Sequence, residues 1–212
     1  MTRRRIPILP TVLVVAAALL MVRLGLWQLE RRQEKAVLLA RYAANQAKPP
    51  VAFAALWPVE AEDLFRRTAA TCIQASGWRT EAGHTASGQT GWRHIAGCRT
   101  GAEGPGLLVD LGISQTAAAP AWKGGRVAGR LTWGPSGESI LSHLTASAAP
   151  PTPMIVSDIA APGLQPTQAP DPATIPNNHL AYAVQWFVFA GLALGIYAIL
   201  LWRRMRPTNP PQ

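Results

Sequence analysis

Apolar residues are concentrated towards the two ends of this chain. Residues 6–22 carry no charge, and apart from Arg23 the apolar character continues to Leu29. A second charge-free run covers residues 180–202. About 20 apolar residues cross the hydrocarbon core of a bilayer as a helix, so each run predicts a transmembrane helix. The first helix does not stop at the membrane edge, because residues 28–47 contain neither glycine nor proline and good helix formers carry the pattern on. Charge pairing adds little there. Glu30 opposes Glu34 and Arg31 opposes Lys35 at i,i+4, and Arg31 with Glu34 is the favourable pair. A helical stalk ending before Pro49-Pro50 is expected.

Between the runs the pattern changes. Glycines and prolines punctuate short stretches at 66–75, 91–100, 106–111, 126–133 and 154–159. Several alternate apolar and polar positions, as half-buried strands do, and Leu107-Leu108-Val109 suits a buried strand. The middle therefore reads as a mainly antiparallel β domain, giving an α+β chain with two transmembrane helices flanking it. Stretches 145–153 and 162–176, rich in proline and alanine, read as loops or linkers. Gly88-Gln89-Thr90-Gly91 and Gly134-Pro135-Ser136-Gly137 read as turns. The expected organisation is a basic N-terminus at 1–5, a first span at 6–29, the stalk at 30–48, the β-rich domain at 49–176, a second span at 177–202 and a tail at 203–212.

Charge sets the expected orientation. Arg3, Arg4 and Arg5 precede the first span, and Arg203, Arg204 and Arg206 follow the second. Short basic flanks stay in the cytoplasm, so both termini are expected there and the domain on the far side. All 11 acidic residues lie between the spans with thirteen of the 20 basic ones, so the net charge of +9 is mostly membrane-flanking arginine. The basic balance thus implies a lipid bilayer as partner and no nucleic acid. The first run also has the basic start and apolar core of a signal peptide, but it is long and no small-x-small site ends it cleanly. An uncleaved anchor is expected. The run begins so soon after Met1 that a mitochondrial presequence has no room, which points to a bacterial inner membrane and a periplasmic domain.

Such a compartment permits a disulfide between Cys72 and Cys98. Two unpaired small hydrophobic residues are the equal alternative. His179 falls in the first turn of the second span, after Asn177-Asn178, where an asparagine side chain can cap free N–H groups. Tyr182, Ala183 and Trp186 follow at i+3, i+4 and i+7 and share its face. Two readings of that face are open: an axial ligand to a metal or haem iron above an aromatic surface, or an interfacial histidine within an aromatic belt. Arg23 and Trp27 suit an interface as snorkelling and anchoring residues. Alternatively, Arg23, Arg31 or Arg32 pairs with haem propionates. His84, His94 and His143 match no tight metal-binding spacing with the cysteines and are expected in surface or core roles. No P-loop, nucleotide fingerprint, zincin motif or nucleophile elbow appears.

Leu24-Gly25-Leu26-Trp27-Gln28-Leu29-Glu30-Arg31, with Lys35, resembles the motif that closes the first span of the Surfeit-locus (SURF-one) cytochrome oxidase assembly proteins. Asn177-Asn178-His179-Leu180-Ala181-Tyr182-Ala183, with Trp186-Phe187, resembles the motif that opens their second span. Family members usually carry an arginine-glycine-tryptophan element after the buried strand, and here Leu108-Val109-Asp110-Leu111-Gly112-Ile113 stands there without the arginine or the tryptophan. The resemblance implies an assembly factor, not an enzyme, that delivers or inserts haem a into the catalytic subunit of a haem-copper terminal oxidase. Its implied partners are that subunit and the haem a synthesis machinery. It implies transient binding of haem a, with His179 as the metal ligand and Tyr182 and Trp186 beside it. The alternative is a membrane scaffold that clamps oxidase subunits without binding haem. A tethered periplasmic enzyme is a third reading, with no recognisable nucleophile-base pair or metal cluster in its favour.

Overall fold

The computed structural model describes residues 6–101, 106–135 and 151–206. The chain divides into two compact units, one formed by Leu38–Ile175 and the other by the segments outside that range.

The outer segments form two long helices, α1 (Ile8–Ala47), whose last turns belong to the other unit, and α2 (His179–Met205). Both are long and apolar enough to cross a membrane, and the chain is a membrane protein. Helix α1 starts after Pro7, whose carbonyl accepts from the Thr11 N–H at 3.2 Å, and ends at Ala47, ahead of Pro49-Pro50. The two helices run antiparallel. The Thr11 and Tyr197 hydroxyls hydrogen-bond, Gly25 faces the Phe187 ring, and Gln28 meets His179. Partners therefore climb along one helix and descend along the other.

The seam has a seven-residue period. Thr11, Ala18 and Gly25 recur at that spacing on α1, and Ala183, Ala190 and Tyr197 do so on α2. Ala18, Ala183 and Ala190 are buried, while Leu9, Leu13, Leu20, Leu192 and Ile196 are exposed. A seven-residue repeat keeps one side of each helix on its partner when the pair wraps in a left-handed sense. Between apolar helices in lipid, small residues allow the close approach that dispersion needs. At Gly25 the approach is tightest, since a Cβ there would lie 2.6 Å from Phe187 Cε1.

The Leu38–Ile175 unit is built on β1 (Val51–Ala52), β2 (Arg67–Cys72), β3 (Gln74–His84), β4 (Thr90–Arg99), β5 (Leu107–Ser114), β6 (Gly125–Trp133) and β7 (Pro153–Ser157). All seven join one sheet in the order β1-β2-β6-β7-β5-β4-β3. The five expected runs all carry strands. The pairing is mainly antiparallel, as expected, within a mixed sheet. Among the described residues four of six pairings are antiparallel, but β1 runs parallel to β2 and β5 parallel to β7. The cause is that β7 inserts between β5 and β6, so a parallel neighbour comes from a distant part of the chain. Strand β3 is less legible in the sequence because its side chains are only exposed or half-buried and a bulge between Ser76 and Arg79 shifts its register.

Ile73 alone separates β2 from β3, and its N–H donates to the Arg99 carbonyl at the end of β4 at 2.8 Å. One run of chain thus pairs with β6 at its start and β4 at its end, so the sheet rolls round on itself. Cys72, Ala96, Cys98, Leu107, Val109, Leu111, Val127, Leu131 and Ile155 share the enclosed core. Met154 and Val156 point the other way, with Ile95 and Leu108, as the two-residue period of a strand requires. Cys72 and Cys98 are joined as a disulfide, Cα atoms 5.4 Å apart, although three strands lie between β2 and β4 in the sheet order.

The stretch at 162–176 is no detached linker. Gln165 and Ile113 exchange both backbone hydrogen bonds at 2.8 Å, and the Gln168 N–H donates to the His84 carbonyl at 2.9 Å. Beneath it the fully buried Asp110 carboxylate accepts from Arg93 Nε at 2.6 Å, Thr167 Oγ1 at 2.8 Å and the Gly112 N–H at 3.0 Å. At the other side of the unit the end of α1 is fastened by Asn45. Its amide donates to the Glu62 and Leu64 carbonyls, at 2.7 and 2.9 Å, and the Tyr42 ring packs tilted against Phe65 with centroids 4.7 Å apart.

Two outcomes follow. Cys72→Ala/Cys98→Ala opens a closed loop of 26 residues' separation and is expected to lower the stability of this unit by about 3–4 kcal/mol. Pulse proteolysis in urea on the detergent-solubilised chain measures it, and unchanged resistance would mean that the bond contributes nothing to closure. Gly25→Leu drives a side chain into the Phe187 ring, at a cost of about 1–3 kcal/mol of overpacking. It is expected to suppress cross-linking between cysteines placed by Thr11→Cys and Tyr197→Cys in membranes, where the Gly25 parent cross-links readily.

Candidate functional site

The start of α2 is built by four consecutive residues. Pro176 cannot donate a backbone N–H, and Asn178 stands at the N-cap, its carbonyl accepting from the Tyr182 N–H at 3.3 Å. The expected side-chain cap is not formed, because Asn178 makes no such hydrogen bond. Asn177 instead reaches across to α1, where its Nδ2 donates to the Arg32 carbonyl at 3.5 Å. Its Oδ1 is buried without a hydrogen-bond partner among the described residues.

His179 opens the helix with its Nδ1 2.7 Å from Gln28 Oε1. An amide oxygen can only accept, so Nδ1 carries the proton. In the uncharged ring the lone pair is then on Nε2. Gln28 lies one turn after Gly25, whose missing side chain lets Phe187 approach. The glycine and the glutamine of one helix thus receive the phenylalanine and the histidine of the other.

The structure keeps part of the expected face together. Ala183 is fully buried, Trp186 is half-buried, and its ring meets Phe189 edge-on at 6.3 Å. Tyr182 does not join them, being 52% exposed. At 100° per residue, i+4 and i+7 fall within about 40° of His179, while i+3 falls about 60° to the side. A seam this narrow excludes it. Among the arginines, Arg23 lies 3.9 Å from Glu30, and Arg31 binds Glu34 at 2.8 Å and covers the Trp27 ring at 5.6 Å. These guanidinium groups already have carboxylate partners on their own helix.

The remaining histidines are not gathered into a site. His94 is fully buried and its Nε2 lies 2.8 Å from Ser114 Oγ. That hydroxyl donates to the Thr116 carbonyl at 2.7 Å, so it accepts from His94 Nε2–H. His84 is exposed on the rim of a cleft of about 440 Å³ that Arg93, Trp133 and Met154 also line. His143 lies outside the described residues, as do Ser136 and Gly137 of an expected turn. The cysteines are consumed by their disulfide. Among the described residues no three His, Cys, Asp or Glu side chains come together to hold a metal ion.

A single imidazole nitrogen with no companions suits one kind of metal partner in particular. Haem iron brings four equatorial nitrogens of its own and needs an axial donor from the protein. His179, through Nε2, and the half-buried Trp186 are the residues that would hold such a group. Sequence reasoning gave Gln28 and Asn177 no part of their own in this arrangement. The available signal was the seven-residue recurrence Thr11-Ala18-Gly25, which marks the side of α1 that faces α2.

No individual curated protein matches this chain. The model of the SURF1 family does match, over residues 15–191, a stretch that takes in both helix motifs and everything between them. With Gln28 and His179 from those two motifs hydrogen-bonded to each other, the chain belongs to the SURF1 family.

Proposed function

We propose that this chain serves cytochrome oxidase assembly by holding haem a at His179 and passing it to the catalytic subunit of a haem-copper terminal oxidase. Family membership supports the oxidase. The observation that carries the haem is the hydrogen bond from His179 Nδ1 to Gln28 Oε1, because it leaves Nε2 as the donor atom. Haem is the cargo, and its iron supplies the acceptor for that nitrogen. His179 binds, and Trp186 offers an aromatic surface. No covalent step is required of the protein, so it acts as an assembly factor and not as an enzyme. The haem a synthesis machinery is the donor and the oxidase subunit the recipient.

The proposed location is a bacterial inner membrane. Both termini are cytoplasmic, as the arginines flanking the spans favour, and the β domain is periplasmic, where the Cys72–Cys98 disulfide is chemically at home.

An absorption spectrum of the detergent-purified protein, produced with haem a synthesis present, tests this beside His179→Ala. A haem band is expected in the wild type and is expected to be lost or shifted in the variant. Equal haem in both removes His179 from the ligand role. No haem in either, with oxidase subunits still co-purifying, makes the protein a scaffold that clamps subunits.

A further inference from the structure

We propose that Gln28 is the positioning residue of this site: its carbonyl oxygen holds the imidazole of His179 in the tautomer and orientation that present Nε2 to iron. The proposal rests on the reading of His179 as the haem ligand and extends it to the opposite helix.

The geometry carries the first step. At 2.7 Å between Nδ1 and Oε1 the contact is a full hydrogen bond, and an amide oxygen has no proton to give. The ring must therefore hold its proton on Nδ1. An uncharged imidazole has one N–H, so Nε2 is left basic, and it is the nitrogen farther from the backbone. Histidines that ligate metals commonly donate their other ring N–H to an acceptor, which fixes the ring and strengthens the ligating nitrogen. Gln28 occupies that place.

The residue type matters as well. The bond joins residues 151 positions apart and so forms only when α1 and α2 are paired. Among the described residues the acceptor at His179 Nδ1 comes from α1, not from a neighbour on α2. A glutamine accepts the proton without adding a charge near the membrane, where an unpaired carboxylate is costly. Gly25 lies one turn away and admits Phe187 closely, which brings the amide within reach. The ligand is thereby made conditional on helix pairing.

The test uses the full chain in detergent with three variants. Gln28→Leu keeps the bulk and loses the acceptor, Gln28→Glu keeps an acceptor, and His179→Ala removes the ligand. Nitrogen-15 NMR of the imidazole, without haem, is expected to show the Nδ1–H tautomer in wild type and Gln28→Glu, and its loss in Gln28→Leu. Titration with ferric haem, followed by its Soret band, is expected to show binding about 10–100-fold weaker in Gln28→Leu. Gln28→Glu is expected to bind as wild type does, with a lower haem midpoint potential, since a stronger acceptor makes the imidazole a stronger donor. Wild-type haem affinity in Gln28→Leu, or an Nδ1–H tautomer that survives there, overturns the proposal. A lower melting temperature with tautomer and affinity unchanged also overturns it, because Gln28 would then be only a strut. Loss of binding in His179→Ala but not in Gln28→Leu leaves the haem reading standing and removes Gln28. Wild-type binding in His179→Ala removes both.

Discussion

Two apolar helices in a bilayer gain nothing from hiding apolar surface, because the lipid around them is apolar too. They pair only where close packing and a few polar contacts make contact better than lipid. In this chain the requirement is met by small residues along a seven-residue seam, Ala18 and Gly25 against Ala183, Ala190 and Phe187, and by polar clasps at either end. The Thr11 and Tyr197 hydroxyls close one end and the Gln28–His179 bond the other. The chemistry of the site follows from this pairing. Gln28 of α1 meets the near nitrogen, Nδ1, of His179, so whatever loosens the seam also frees the ring.

The β unit solves a different problem, that of a sheet whose ends would otherwise lie open. Ile73 lets one run of chain serve both ends of the sheet, and the disulfide locks the closure from inside. The outer face of the central strand β5 is sealed by the return of the chain over it, with Asp110 as the fastening. A buried carboxylate is costly unless fully partnered, and here three donors from three parts of the chain converge on it. The glycine two positions on from Asp110 has a physical reason of its own. Gly112 has φ +122, and a Cβ would lie 2.6 Å from the Gln165 carbonyl oxygen.

Much of this could be read from residues alone. Long uncharged runs imply helices of membrane length whatever surrounds them, and the absence of breakers carried α1 on to Ala47. The runs carrying β2, β4, β5, β6 and β7 showed as short apolar or alternating stretches between glycines and prolines, because their side chains enter the core. His179 stood out for its place at the start of a helix and for the motif around it. Strand β3 and the pairing of the 162–176 stretch did not show, since an exposed edge strand and a proline-rich return have no periodicity to read. Tyr182 was placed beside His179 by spacing that is right on an isolated helix. In the folded chain it lies outside the α1–α2 seam, on the exposed side of α2.

The sequence by itself determined which segments are helical, which enter the membrane and which histidine heads the second span, because those follow from local composition and periods of 3.6 or 2. Tertiary structure alone decided that β7 slips between β5 and β6, that Cys72 meets Cys98 across three intervening strands, and that Gln28 meets His179. Each of these is a contact between residues far apart in the chain. Local propensity carries no record of such distances, whereas a hydrogen bond or a disulfide exists only when the fold has brought both partners within a few ångströms.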